Sequence, residues 1–373
     1  PIRNYFTGDY KTNSEMAATK ALVPVANQLA VVPTAIERIL EHFPKEYFRF
    51  CFAYGSGVFP QKGPKVGKPM IDLIFAVHDS LGFHWRNLQM NPSHYSGVKH
   101  LGPRFISVFQ EKVPCRVYFN TLVQLPEEDV VFKYGVVHMN DFVNDMLDWD
   151  YIYLAGRMHK PVKLLTPVKR DFQILDMALR QNLLSALHIG LLLLPEAFSE
   201  RELYYTMANI SYRGDFRMIF GEDVNKVSNI VDRQLLQFRK LYKPYLTGVL
   251  APYVNIREDD SFDGVCTQDM SFTSRHYHLT QLPHTPMAEL AKYWRTHAAY
   301  DTRNKRKNTE EAMRHLSYDD DCPNMLQTVL SRIVFRSSAM QSLKGIFSAG
   351  LGKSVQYSRT KIQKMMKSLQ PPT

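Results

Sequence analysis

Little in this 373-residue chain is suited to covalent bracing or to crossing a bilayer. The four cysteines, Cys51, Cys115, Cys266 and Cys322, are widely scattered without a C-x-x-C pair. That spacing suggests neither a zinc site nor a disulfide framework and fits a reducing compartment. The most apolar uninterrupted run, Asn182 to Pro195 (NLLSALHIGLLLLP), falls short of the roughly 20 residues a spanning helix needs, so any membrane contact is expected to be peripheral. The opening residues, PIRNYFTGDYKTN, hold no apolar signal core and little of the Arg/Ser bias of a transit peptide; a processed or trimmed N-terminus would read the same. Acids are also short: Asp and Glu number 36 against 46 Lys and Arg, a formal charge of +10. Such a balance favours a polyanionic partner, whether nucleic acid, nucleotide or anionic membrane surface. With 45% hydrophobic residues the chain has ample material for a buried core and length for two or three domains, and no internal repeat is visible.

Apolar spacing predicts a helix over Asn27–Phe43, then strands at Tyr47–Tyr54, Met70–Val77, Val117–Leu122 and Val130–Phe132, with an acidic helix over Asp141–Trp149. This mixture predicts an α+β domain over 1–165, ending at the connector PVKLLTPVK. A second, helical domain with a wing is expected over 166–250. It would hold a helix from about Asp171 to Leu194, another announced by the capping-box spacing of Ser199 and Glu202, a hairpin in ISYRGDFRMIF, and a helix near Asn225–Tyr242. In the remaining region, 251–373, Asp259–Pro286 reads as long irregular loops, and from Arg336 onward every charge is positive.

The stretch FAYGSGVFPQKGPKVGKPMIDLIFAV carries the sharpest signal. A strand breaks at Gly55-Ser56-Gly57, and an apolar strand follows with one carboxylate, Asp72, where burial without a partner would be costly. The pattern is neither G-x-G-x-x-G nor a P-loop, because Pro60 takes the last glycine position and no Gly-Lys-Ser/Thr follows. One reading is an ordinary turn beside a satisfied Asp. The other is the arrangement by which polymerase-β-type nucleotidyltransferases hold a nucleotide triphosphate: turn amides and the Ser56 hydroxyl grip phosphates while Asp72 binds Mg²⁺. Such sites usually carry two acids at i and i+2, but here those neighbours are Met70 and Ile74. Asp79 lies roughly 23 Å further along an extended strand. A second acid would therefore come from elsewhere, or the ion would rely on substrate phosphates and water.

Taken in order, YGSGVF, MIDLIF, NPSHYS, KYGVV, YLAGRMHKPVK, SYRGDFRMIFGEDVNKVSNIV and QSLKGIFSAGLGKSVQYS resemble the mitochondrial phosphatidate cytidylyltransferase family, also called mitochondrial translocator assembly and maintenance proteins. The resemblance runs from about Tyr54 to Ser358 and is thinnest over Val254–Pro286. It implies a polymerase-β-like nucleotidyltransferase domain, a winged-helix-like domain and a basic C-terminal region on the matrix face of the mitochondrial inner membrane. The implied reaction is CTP plus phosphatidic acid giving CDP-diacylglycerol and pyrophosphate, dependent on Mg²⁺, on the route to cardiolipin.

A lipid phosphate is already a nucleophile near neutral pH, so positioning and charge neutralisation should carry the rate. Arg157, Lys160, Lys133 and Lys226 are the candidate cations for triphosphate and phosphatidate, each with the alternative of an ordinary surface charge. His94 is either a phosphate-orienting group or a structural residue. Asp215 or Asp223 could supply the missing acid, or Asp215, Arg217, Glu222 and Asp223 simply knit the wing with ion pairs. Lys344, Lys353, Arg359, Lys361, Lys364 and Lys367, interleaved with apolar residues, match an interfacial segment on anionic lipid, the alternative being a solvated basic end. Two other functions stay open: a nucleic-acid nucleotidyltransferase, for which no aromatic-and-basic strand-binding stripe is found, and a non-catalytic assembly factor for a membrane translocase. No nucleic-acid partner is expected, and a homodimer stays open.

Overall fold

The computed structural model describes residues 34–55, 57–59, 70–125, 130–166, 173–220, 225–297 and 308–349. Its centre is a five-stranded mixed sheet: β1 (Phe48–Tyr54), β2 (Ile71–Val77), β3 (Val117–Leu125), β4 (Val130–His138) and β5 (Lys163–Leu164), in the order β3-β4-β2-β1-β5. β2 runs parallel to β4, and the other pairs are antiparallel. Because β2 is covered on both faces, Leu73 to Val77 form one continuous buried run, as central strands of such sheets do. Alternation sends Phe50, Phe52, Ile74 and Ala76 into the large core shared with the helices. Cys51, Ala53, Leu73 and Phe75 go to the opposite face, under the Thr34–Glu41 helix. Burying each such aromatic or aliphatic side chain contributes about 1.5–3 kcal/mol.

The 21-residue helix Gln173–Leu193 is buried almost all round, and the large core runs unbroken from the sheet through it to the Cys322–Ala349 helix. Ser199 caps the helix Glu200–Asn209 with the expected capping box. A small antiparallel sheet joins β6 (Ala197–Ser199) and β7 (Val254–Asn255) to β8 (Val265–Gln268), in the order β6-β8-β7.

Three local expectations are corrected. The expected hairpin in ISYRGDFRMIF is a series of turns followed by a helix, Phe216–Phe220. Gly214 reverses the chain at φ 86°, and the Asp215 carboxylate accepts the Arg217 N–H, which starts a helix instead of a second strand. The single helix expected near Asn225–Tyr242 is two, Lys226–Val231 and Leu235–Leu246. Asp259–Pro286 is largely ordered, with β8, the helix Phe272–Thr280 and the start of His284–His297. Its core-facing positions are filled partly by polar residues such as Ser274 and His278, which hides the apolar period.

Candidate active site

β1 and β2 meet so that Tyr54 pairs with Asp72, and on the other side Asp72 pairs with Lys133 of β4. The turn after β1 lies hard against this point. Gly55 has φ 81°, and a Cβ there would come within 3.0 Å of an Asp72 oxygen; one on Gly57 would reach 2.4 Å from the Met70 carbonyl. The spacing of the two glycines therefore follows from close approach of the turn backbone to the start of β2. Val58 and Phe59 both donate N–H groups to the Gly55 carbonyl, closing the turn. Among the described residues no donor pairs with the Asp72 carboxylate, which faces a cavity of about 240 Å³.

The opposite wall is the segment Ala155–Lys160. Its short helix, Ala155–Met158, is held by the buried Asp145 carboxylate, which accepts the backbone N–H groups of Tyr151, Leu154 and Ala155 at 2.7–3.0 Å. Burial nonetheless raises the Asp145 pKa against these stabilising bonds. Asn182 of the long helix clamps the same segment, donating to the Ala155 carbonyl and accepting from the Trp149 indole. His159 points into the core beside Asn182, and burial, with Lys160 nearby, holds its pKa well below the usual range. Arg157 and Lys160 are thereby turned to the cavity. Arg157 donates to the Tyr153 carbonyl and stacks over the Tyr153 and Tyr54 rings. Lys160 donates to the Gly156 carbonyl and the Ser211 hydroxyl, and burial, then Arg157 and Lys226, lower its pKa to about 7.

The cavity also brings in Asp215, Arg217, Lys226 and Arg233. Asp215 is buried and bound by Arg217, whose Nη2 lies 2.6 Å from its Oδ2. Six cations, Lys133, Arg157, Lys160, Arg217, Lys226 and Arg233, thus surround two carboxylates, Asp72 and Asp215. Such an excess in a partly desolvated cleft is a receptacle for a polyanion. Among the described residues no group of three or more His, Cys, Asp or Glu side chains could hold a metal by itself. Asp72, an accessible hard oxygen donor beside the polyanion cavity, nevertheless suits Mg²⁺, which binds through one or two carboxylates with substrate phosphates and water.

Of the residues expected from sequence, Gly55, Asp72, Lys133, Arg157, Lys160, Asp215 and Lys226 line this one cavity, and Gly57 lies in the adjoining turn. Ser56, Asp223, Glu222, Lys353, Arg359, Lys361, Lys364 and Lys367 lie outside the described residues. His94 is not brought there: it is buried among Phe43, Phe132 and Tyr134, with Nδ1 3.2 Å from the Tyr134 hydroxyl, the structural alternative of its two readings. Lys344 is also corrected. It is 3% exposed, and its ammonium donates to the Gln110 and Val113 carbonyls at the end of the Gly102–Lys112 helix. Those unsatisfied carbonyls draw the charge inward, away from any lipid. Sequence reasoning missed Arg233, and it missed Ser337 and Ser338, which the C-terminal helix carries to the cavity wall. Ser338 accepts the Phe216 N–H at 2.8 Å, fastening that helix to the turn that bears Asp215. No local motif marks these residues, because only tertiary packing brings them in.

Residues 36–364 match the family model described as mitochondrial phosphatidate cytidylyltransferase. Relatives of that name include a Drosophila melanogaster protein, 43% identical over 344 residues, covering 88% of this chain and 97% of that one. A Xenopus laevis protein is 43% identical over 336 residues (89% and 94%), and a Mus musculus protein 39% identical over 334 (89% and 94%). With its glycine turn, single strand carboxylate and cationic cleft held in one continuous fold, the chain belongs to the mitochondrial phosphatidate cytidylyltransferase family.

Proposed function

We propose that this chain transfers the cytidylyl group of CTP to phosphatidic acid, giving CDP-diacylglycerol and pyrophosphate, on a polymerase-β-like nucleotidyltransferase core joined to a winged-helix-like region. The observation that carries the reading is one cavity whose lining joins a strand carboxylate, Asp72, that no donor among the described residues pairs, and the tight Gly55 turn with six cations. A phosphatidate oxygen attacks the α-phosphorus, forming the new P–O–P bridge. The bond from that phosphorus to the bridging oxygen of the β-phosphate breaks, and its electron pair leaves with pyrophosphate. Neither partner needs a protein nucleophile, so the residues act by holding anions together and offsetting charge that shifts to the leaving group.

In this reading Asp72, with Ser56 between the two glycines in sequence, would hold Mg²⁺, which when bound lends Lewis-acid stabilisation to the phosphates. The Gly55 and Gly57 backbone grips the triphosphate, and Lys133, Lys226 and Arg233 neutralise it. Arg157 and Lys160 hold the reacting phosphates in register. Arg157 is already oriented by Tyr153 and Tyr54, which limits the ordering cost on binding. Asp215 keeps Arg217 in place from beneath and is the nearest described candidate for a second acid. The enzyme works from the matrix face of the mitochondrial inner membrane, supplying CDP-diacylglycerol for cardiolipin. Among the described residues no helix is long and apolar enough to cross a membrane, which fits attachment at the surface.

Incubating purified protein with CTP labelled in its α-phosphate, phosphatidic acid and Mg²⁺ tests the assignment. Label should move to the chloroform phase with equimolar pyrophosphate. Label retained in water would remove the lipid reaction, and label on an added oligonucleotide would favour a nucleic-acid nucleotidyltransferase.

A further inference from the structure

One wall of the catalytic cavity is built where the helix Lys226–Val231 gives way to Leu235–Leu246, and Asn229, Ile230, Arg233, Gln234 and Gln237 all line it from there. Gln234 stands immediately before the second helix. Unlike Ser199 and Asn308, which cap their helices through the side chain, it makes no cap hydrogen bond. Its amide nitrogen donates back to the Ile230 carbonyl at 3.2 Å. That bond settles which way the amide lies, because in the reverse orientation its oxygen would meet another acceptor. Oε1 is then left with no donor among the described residues, on a side chain only 7% exposed.

A buried acceptor without a donor is costly, and native structures keep few of them unless a ligand, water or ion completes the bond. This one belongs to a residue that lines the substrate cavity. Phosphates cannot complete it: once ionised, the triphosphate and the phosphatidate headgroup offer acceptor oxygens only. The donors of CTP are the two ribose hydroxyls and the 4-amino group of the base. Only the amino group separates cytosine from uracil, whose 4-oxo oxygen is itself an acceptor. Facing Oε1, uracil would set oxygen against oxygen with no hydrogen between them.

The rest of the lining agrees with this division of labour. Ser211 already accepts from Lys160, Ser338 accepts from the Phe216 N–H, and Asp215 is bound by Arg217. Asn229, Gln234 and Gln237 are the only amide side chains among the described lining residues, and all three stand on this wall. Amides present donors and acceptors without net charge, as the edge of a nucleobase does.

We propose that Gln234 selects cytosine: its Oε1 accepts a hydrogen bond from the 4-amino group of CTP, and the same oxygen turns UTP away. The inference rests on the cytidylyl-transfer reading above and adds to it the residue that reads the base. Gln234 takes no part in the phosphoryl chemistry. Ile230 is its positioning partner, since the Ile230 carbonyl holds the amide in the orientation that presents an acceptor. A site built around a substrate N–H discriminates more sharply than one that measures shape alone, because the wrong base leaves a buried polar atom unpaired.

Three nucleotides test this in binding titrations and in transfer to phosphatidate: CTP, UTP, and the triphosphate of pyrimidin-2-one riboside, which lacks the 4-amino group. The parent should favour CTP over both others. Gln234→Met fills similar space without hydrogen-bonding groups, and Gln234→Asn withdraws the amide by one methylene. In each, CTP should lose about 10- to 100-fold in kcat/KM and in affinity, falling to the level of the pyrimidinone analogue, whose own values stay near the parent's. Such non-additivity ties the side chain to the amino group. A packing defect would instead weaken all three nucleotides alike and leave the preference for CTP intact, which would overturn the proposal. Equal handling of CTP and the analogue by the parent would overturn it as well. So would an effect of Gln234→Met on CTP that vanishes with 2′-deoxy-CTP, since the oxygen would then serve the ribose. Unchanged preference in the variants with transfer from CTP retained removes this inference alone. No transfer to phosphatidate by the parent removes the reaction, while the titrations still report on Gln234.

Discussion

The ammonium of Lys160 sets a pH dependence with a definite sign. Burial, aided by Arg157 and Lys226, brings its pKa to about 7, so the ligand-free site holds the charged form below that pH and loses it above. A bound triphosphate places negative charge against the same nitrogen and raises its pKa, so CTP binding takes up a proton. The dissociation constant should then rise with pH from about 7 upward, approaching tenfold, or about 1.4 kcal/mol, per pH unit until the pKa of the complex is reached. The ligand-free fold shows the opposite linkage. From about pH 7 to about 10.4 the unfolded chain keeps the proton that folded Lys160 has lost, so this group's contribution to stability rises with pH. Calorimetric titration in buffers of different protonation enthalpy reads both affinity and proton uptake. Lys160→Arg, whose guanidinium stays charged, should flatten the profile. A dissociation constant independent of pH in the parent, or an equal slope in Lys160→Arg, would refute the reasoning.

Three further substitutions probe how the cleft is built. Gly57→Ala puts a methyl 2.4 Å from the Met70 carbonyl, so the turn must shift; thermal melting should reveal a loss of about 1–3 kcal/mol, together with weaker CTP binding. Asp145→Asn leaves one acceptor oxygen for three N–H groups, and denaturant titration should register about 1–3 kcal/mol while turnover falls because Arg157 and Lys160 lose their support. Lys344→Arg keeps the positive charge but must fit a guanidinium into a slot that is 3% exposed; a lowered melting temperature is expected, and an unchanged one would contradict the capping role.

Much of the centre was legible because its signals are local. The break at Gly55 and Gly57, the apolar run ending in Val77 and the capping box at Ser199 each follow from short-range geometry, and they stand where their spacing indicates. Arg157 and Lys160 were readable only as candidates, since nothing local reveals that Asp145 and Asn182 turn them toward Asp72. Charge misled at Lys344, where helix-terminal carbonyls compete with solvent for an ammonium, and polarity misled at His94, which sits beside a buried tyrosine hydroxyl. The turn at Gly214 defeated the hairpin because its reversal feeds Asp215 into a helix start. Ser337, Ser338 and Arg233 carry no periodic or motif signal, and they reach the cavity through contacts far apart in the chain.

The most direct test of the central claim is Asp72→Asn in the labelled CTP assay, with its fold checked by melting and its Mg²⁺ dependence by titration. Loss of label in CDP-diacylglycerol, with the melting temperature preserved, is the outcome this account predicts. Transfer at the parent rate and with the parent Mg²⁺ requirement would contradict it.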